Sequence, residues 1–212
     1  QKVGNYPGIT VDKKEGVCKL SRGVKAHILD LPGTYSLNAS SIDENVVIEL
    51  LLNKKDKDFP DVAVVVADVE NLKRNLLLFT QIKDLKIPTL LVINMSDVMA
   101  RKGITLDIPK LEKLLNTKIA LVSTRKGTGL QVLKSLIEGY RTLPKTQCLD
   151  ATSIDPNYFE RLQKAFPNQE VYKLWLVIAQ DMNFGKLARK ELDVSQFRTK
   201  SISELKRLQQ QE

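Results

Sequence analysis

The sequence predicts an α/β fold in which an open parallel sheet is followed by a small all-helical domain. Short β-rich runs alternate with helical patterns over the first two thirds of the 212 residues, which is typical of a parallel sheet. After residue 144 the strand patterns stop and only helical patterns follow. We therefore predict one domain at residues 1–144 and a second, helical domain at residues 145–212.

The first predicted elements are a hairpin, a helix and a buried strand. The hairpin pairs residues 16–20 with residues 25–31 around a turn at residues 21–23. Residues 43–52 have the periodicity of an amphipathic helix. Residues 61–68 form an apolar run bounded by acids, which predicts a strand covered on both faces.

The remaining elements follow from the same periodicities. In the first domain they are a helix at 71–84, a strand at 88–94, a helix at 108–115, a strand at 118–122 and a helix at 129–140. In the second domain they are helices at 157–166, 169–181, 185–192 and 201–211.

Composition excludes several classes of protein and leaves others open. The apolar runs are far shorter than the roughly 20 residues of a membrane helix. Cys18 and Cys148 match no zinc or redox spacing. Lys and Arg exceed Asp and Glu by 33 to 25, which fits RNA, an anionic membrane face or an ordinary solvated surface.

The first motif with chemical content is Asp30-Leu31-Pro32-Gly33, at the end of a predicted strand. Open α/β sheets bind ligands beyond the carboxyl ends of their strands. An Asp there can hold a magnesium-bound water, and a Gly lets a backbone N–H approach a phosphate. An ordinary Pro-Gly turn is an equally good explanation of this motif alone.

The second motif, Asn94-Met95-Ser96-Asp97, also follows an apolar strand. The Asp97 carboxylate can accept both N–H donors on the edge of guanine, while Asn94 ties the loop to its neighbours. Adenine would leave a buried carboxylate unpaired, which is costly. The alternative is a helix N-cap, for which Asn and Asp are both suited.

A third motif begins at Val122, Ser123 and Thr124, directly after the next strand. Its small residues would let backbone N–H groups reach a base oxygen, although a capped strand-to-helix turn is an alternative. In order and spacing, the three motifs resemble the last three motifs of translation-factor-class GTPases. Met95 stands where that class usually has Lys.

The flanking residues resemble one family, the FeoB ferrous iron transporters. Residues 3–11 and 14–16 are similar to its first switch, and residues 30–37 are similar to its second switch. Asn94-Met95-Ser96-Asp97 is similar to its base-reading motif. The resemblance implies a Ras-like P-loop GTPase sheet followed by a helical domain.

The resemblance also implies a set of nucleotide-binding residues. Magnesium would be held by Thr10 and, through water, by Asp30, and potassium is a possible added cation. The catalytic residue stays unassigned, and Thr34 stands where Ras-like enzymes have Gln. The implied nucleotide-binding residues are Gly8, Ile9, Thr10, Asp30, Leu31, Pro32, Gly33, Asn94, Met95, Asp97, Val122, Ser123 and Thr124.

One expected motif is missing, because nothing in the sequence matches G-x-x-x-x-G-K-[ST], the phosphate-binding loop. The family places that loop, with the central strand, just before Val3. We expect the full protein to contain it and the chain as given to be impaired in GTP hydrolysis.

By resemblance, the chain is the GTP-binding and GTP-hydrolysing regulatory part of a ferrous iron transporter, at the cytoplasmic face of the bacterial inner membrane. Its expected partners are GTP and GDP, the membrane portion of the same polypeptide and further copies of itself, but not nucleic acid. Two alternatives stay open at this point. One is a stand-alone ribosome-assembly GTPase that binds RNA, and the other is a non-hydrolysing interaction module.

Overall fold

Six strands form two separate three-stranded sheets in the computed structural model, which describes residues 2–5, 12–38, 42–148, 150–153 and 155–179. The first sheet is antiparallel, with strand order β1-β2-β3. The predicted hairpin is confirmed, and its turn is a short 3-10 helix at Ser21–Gly23. The strands are β1 (Lys2–Asn5), β2 (Asp12–Lys19) and β3 (Lys25–Asp30).

The second sheet is parallel, with β4 (Ala63–Asp68), β5 (Thr89–Asn94) and β6 (Ile119–Leu121) in that order. Its register pairs Asp68 with Asn94, so the carboxyl ends of neighbouring strands lie at one edge. The three strands predicted for this part of the chain are confirmed.

Seven α-helices lie within the described part of the chain, and none of them is long and apolar enough to cross a membrane. The helices predicted at 185–192 and 201–211 lie outside the described residues. The seven are α1 (Ile42–Leu52), α2 (Leu72–Asp84), α3 (Ser96–Lys102), α4 (Ile108–Leu115), α5 (Leu130–Glu138), α6 (Pro156–Ala165) and α7 (Val171–Ala179).

Local sequence explains where several helices begin. The Asp107 carboxylate accepts the Lys110 N–H at 3.0 Å and caps α4. The Asp155 carboxylate does the same for α6 through the Tyr158 N–H, at 3.0 Å. Pro156 occupies the first turn of α6, where its missing N–H costs nothing.

A single apolar cluster joins the sheet to the two last described helices. It contains Phe79 of α2 and Ile93 of β5 together with Phe159 of α6 and Trp175 of α7. A smaller cluster on the other face of the sheet packs Val92, Ala120 and Val122 against Leu133 and Leu136 of α5. The division into residues 1–144 and 145–212 stays a prediction.

Two expectations about burial were wrong. α1 is buried nearly all round rather than on one face, since Glu49 alone is exposed between residues 46 and 52. β4 is covered on one face only, because α5 packs over β5 and β6 and leaves Val64 37% and Val66 59% exposed. β3 does not pair with the parallel sheet among the described strands.

Candidate functional site

Two of the predicted motifs meet at the carboxyl ends of β5 and β6. The Ser96 N–H donates to the Val122 carbonyl at 3.0 Å, so the first loop is fixed to the second. The Val122 N–H in turn donates to the Ile93 carbonyl at 2.9 Å, which continues the sheet pairing up to the loops. The residues predicted from 94 to 97 and from 122 to 124 are therefore neighbours in space.

Asn94 links the two loops through both ends of its amide. Its Oδ1 accepts the Thr124 N–H at 3.2 Å, and its Nδ2 donates to Thr124 Oγ1 at 3.3 Å. The Ser123 N–H donates to the Thr128 carbonyl at 3.1 Å. The backbone amides of Ser123 and Thr124, which were expected to reach a base oxygen, thus already have acceptors. Either amide would have to share or exchange its acceptor to make that contact.

Asp97 is held as an ionised hydrogen-bond acceptor. The Ser123 hydroxyl donates to Asp97 Oδ1 at 2.7 Å, and Arg101 lies 3.8 Å from Oδ2. The Asp97 side chain is only 8% exposed. The hydrogen bond from Ser123, more than the Arg101 charge, holds the pKa of Asp97 below its usual value.

The helix-cap alternative for this motif is wrong. The N-cap of α3 is Met95, and no side chain caps that helix. Asn94 bonds instead to Thr124, and Asp97 to Ser123. The side chains of Asn94 and Asp97 therefore do not cap α3, and both are bonded to the second loop.

Met95 has a left-handed backbone, with φ 64°. For a non-glycine residue this conformation costs about 1 kcal/mol or more, and surrounding hydrogen bonds must offset that cost. They do so here, because the Ser96 N–H donates to Val122 and the Val98 N–H donates to the Met95 carbonyl at 2.8 Å. Strain of this kind is often found at functional sites.

The turn after β6 depends on a glycine. Gly129 has φ 79°, and a Cβ there would lie 2.0 Å from the Leu121 carbonyl oxygen. Only glycine permits this approach. The turn places Ser123, which is 1% exposed, beneath Asp97.

The motif from Asp30 to Gly33 makes its contacts elsewhere. Asp30 ends β3 and is exposed, Leu31 and Pro32 are half-buried, and Gly33 is exposed. The Thr34 hydroxyl donates to the Ser36 carbonyl at 2.7 Å. The contacts of this segment run to α1 and α2 rather than to the loops after β5 and β6.

The residues from Asp30 to Gly33 fit a magnesium site. Mg²⁺ is usually held by one or two carboxylates, with waters and substrate phosphates as its other ligands. Asp30 offers one solvent-facing carboxylate, and the described residues contain no cluster of three His, Cys, Asp or Glu that would form a protein cage. A Cβ at Gly33 would meet nothing within 4 Å, so there is room for a ligand.

Three predicted residues, Gly8, Ile9 and Thr10, lie outside the described residues. Sequence reasoning also missed a group of polar residues on α2 that contact the segment after Gly33. The Leu37 N–H donates to Gln81 Oε1 at 2.7 Å. No sequence signal marks Gln81, because its partner lies 44 residues away and its side chain sits in a helix of mixed polarity.

Comparison with known proteins identifies the family. The family model described as ferrous iron transport protein B matches residues 1–137. The Fe(2+) transporter FeoB of Leptospira biflexa is 42% identical over 144 residues, which covers 66% of this chain and 20% of the relative. The Escherichia coli Fe(2+) transporter FeoB is 34% identical over 173 residues, covering 79% and 22% respectively.

Comparison with solved structures points to the same family. The cytosolic domain of L. pneumophila FeoB superposes with a TM-score of 0.82 at 28% identity, covering 100% of this chain and 86% of that one. The cytosolic domain of the T. maritima FeoB iron transporter in its GMPPNP form gives a TM-score of 0.81 at 27% identity, covering 99% and 84%. The fold is therefore the Ras-like GTPase fold of these domains.

The chain spans about a fifth of the length of the curated relatives that it matches. The match supports the transporter interpretation rather than a ribosome-assembly GTPase. A family model that covers most of the chain, joined to the geometry of the loops after β5 and β6, leads to one conclusion: the chain belongs to the ferrous iron transport protein B family.

Proposed function

We propose that this chain binds guanine nucleotides with the loops after β5 and β6, and that the whole protein hydrolyses GTP to regulate ferrous iron transport. The observation that carries the proposal is the pair of bonds between those loops. Ser123 fixes the Asp97 carboxylate, and Asn94 holds Thr124 beside it. A carboxylate fixed in this way is a ready acceptor for a base edge.

Hydrogen-bond complementarity explains why the base would be guanine. Guanine presents N1–H and the 2-amino group side by side, and one carboxylate can accept both. Adenine presents no such pair, so it would offer no donor to the acceptor positions of the Asp97 carboxylate that Ser123 does not use. Sites built to bond a particular group reject analogues that lack it by factors of about 10⁴.

The phosphates and magnesium would lie on the side of Asp30 and Gly33. In this proposal Thr10 and, through water, Asp30 would hold magnesium, and the Gly33 N–H would contact the terminal phosphate. In the same proposal Gly8, Ile9, Leu31 and Pro32 would contribute to nucleotide binding. Potassium would serve as a further positive charge near the phosphates, and magnesium would neutralise charge as the terminal phosphate leaves.

The names of the relatives support a proposed role for the whole protein in iron transport. Those proteins are named Fe(2+) transporters, and the matching cytosolic domain of T. maritima FeoB has structures in GDP and GMPPNP forms. We propose that this chain likewise lies at the cytoplasmic face of the bacterial inner membrane, where residues 145–212 connect the nucleotide site to a membrane portion. Self-association is part of this proposal, and nucleic acid is not.

Titration of fluorescent GDP, GTP and ADP, with and without magnesium, tests the proposal. The full-length protein would be titrated. We expect it to bind GTP tightly and to need magnesium for that binding. Equal binding of ADP, or no guanine-nucleotide binding, would contradict the proposal.

A further inference from the structure

Helix α2 contacts two segments that are far apart in sequence. One is the segment at residues 30–38, and the other is the connector, which we define as residues 144–148. We propose that α2 positions the two together, so that the nucleotide-dependent arrangement of residues 30–38 is transmitted to the connector. This inference rests on the proposed function, because it requires that nucleotide changes the first segment.

Two side chains of α2 hold the first segment. Gln81 is 1% exposed, and its Oε1 accepts the N–H of the fully buried Leu37. Nearer the start of α2, the Arg74 guanidinium lies 3.6 Å from the centroid of the Tyr35 ring, which is a cation–π contact. The segment is therefore attached to α2 at a buried point and at an exposed point.

Gln81 also carries an unused donor. Its Nε2 is buried, and the described residues give it no hydrogen-bond partner. Leaving a buried donor unpaired is costly, and such groups in native structures call for an explanation. An amide with one bond made and one lacking is suited to a contact that changes when residues 30–38 rearrange.

The end of the same helix holds the connector. Lys83 is 1% exposed, and its Nζ donates to the Pro144 carbonyl at 3.2 Å and to the Asn116 carbonyl at 2.6 Å. Asp84 is 2% exposed, and its Oδ1 accepts the Cys148 N–H at 2.6 Å. The stretch where the strand pattern ends is thus fixed by two buried charged side chains.

These contacts lie within one helical turn, from Gln81 to Asp84. A helix moves as a unit over such a distance, and a packed interior does not absorb displacements gradually. A shift at Leu37 is therefore passed to Lys83 and Asp84, and through them to the connector. From there the chain enters α6, whose Phe159 packs in the same core.

Hydrogen exchange measured by mass spectrometry tests this in the polypeptide encoded by the complete reading frame. Exchange at residues 30–38 and at residues 143–148, the connector with the residue before it, would be compared with GDP and with a non-hydrolysable GTP analogue bound. In the wild type we expect both segments to respond. In Gln81→Leu we expect the response at 143–148 to fall at least about fivefold, the lower end of usual coupling energies, with nucleotide affinity retained.

Arg74→Ala provides a second variant whose exposed side chain leaves no buried cavity, so it decides the question if Gln81→Leu does not fold. We expect a partial loss of the response at 143–148, while the control Lys73→Ala, on the same exposed stretch of α2, keeps it in full. Apolar packing around Leu37 is the rival route.

An unchanged response at 143–148 in the folded Gln81→Leu protein, or in Arg74→Ala if Gln81→Leu is unfolded, would overturn the inference in favour of that rival. A wild type that responds at 30–38 but not at 143–148 would overturn it and leave the proposed function intact. Absence of nucleotide binding would overturn both.

Discussion

The two sides of the candidate site are built differently. On the side proposed to bind the base, β5 is buried from Thr89 to Ile93, and the loops that follow β5 and β6 are bonded to each other. On the side proposed to bind the phosphates, β3 exposes His27, Ile28 and Asp30, and the segment after it contacts helices rather than a second loop.

This difference indicates which half of the proposed site is more firmly fixed. The loops proposed to read the base are held by a buried strand, a buried serine and a glycine turn. The segment after Asp30 is attached mainly to α2, through Gln81 and Arg74. We therefore expect specificity to reside in the rigid half and conformational response in the other.

The largest expected effect compares the strands themselves. Ile93→Ala removes a fully buried side chain from β5 and should cost about 3 kcal/mol in free energy of unfolding. Ile28→Ala, at a position 46% exposed on β3, should cost less than about 1 kcal/mol. Chemical denaturation of both variants measures the difference. Equal costs would show that β3 is buried as deeply as β5.

The next effect concerns the base itself. Asp97→Asn exchanges one acceptor for a donor, which matches xanthine, where a carbonyl replaces the 2-amino group of guanine. We expect GDP affinity to fall about 100-fold and xanthosine diphosphate affinity to rise, since hydrogen bonds to charged groups contribute about 1.5–3 kcal/mol each.

The matched control for Asp97→Asn is Asp61→Asn, an exposed acid before β4, which should leave both affinities unchanged. Fluorescence titration of the two nucleotides gives the comparison. If Asp97→Asn bound GDP as tightly as the wild type, the base would have to be read elsewhere.

A smaller effect is expected at the connector. Lys83→Met leaves the Asn116 and Pro144 carbonyls without their charged donor and should cost about 2 kcal/mol in unfolding free energy. Lys73→Met, on the exposed side of the same helix, should change it by less than about 0.5 kcal/mol. Coinciding denaturation curves for Lys83→Met and Lys73→Met would mean that the connector is not held by Lys83.

The smallest effect is a pH dependence. Because the Ser123 hydroxyl lowers the pKa of Asp97 in the folded protein, the stability that this carboxylate adds is present above its unfolded pKa and is lost as pH falls through the folded value. Ser123→Ala should raise the pKa of Asp97 toward its ordinary value. GDP binding by the variant should then weaken at a higher pH than in the wild type.

Titrations of GDP at a series of acidic pH values would follow this, with Ser135→Ala on the exposed side of α5 as a control. Coincident pH profiles for Ser123→Ala and the wild type would show that the hydroxyl does not tune the carboxylate.

Sequence patterns predicted the parallel sheet and most helices well, because the local periodicity of apolar residues reflects which positions of a strand or helix are buried. The helix predicted at 108–115 has those bounds in the structure. Asn94 and Asp97 were identified from their position after a strand, and their partners Thr124 and Ser123 from the same rule applied to β6. Motif position was informative because parallel strands bring their carboxyl ends together.

Other features could not be predicted locally. Gln81, Lys83 and Asp84 look like the solvent side of an amphipathic helix, and their burial depends on Leu37 and on the connector, both distant in sequence. Helix α3 was missed, since its seven residues are too few to show a helical period and its N-cap, Met95, is not a capping residue type. The exposure of Val66 likewise depends on how far α5 reaches across the sheet.

The most direct test of the central claim is competition between GDP and ADP for bound fluorescent GDP, measured on the polypeptide encoded by the complete reading frame. If the loops fixed by Ser123 and Asn94 read guanine, ADP should need a concentration about 1,000-fold or more above that of GDP to displace the probe. Displacement by ADP and GDP at similar concentrations would contradict a guanine-reading site at Asp97.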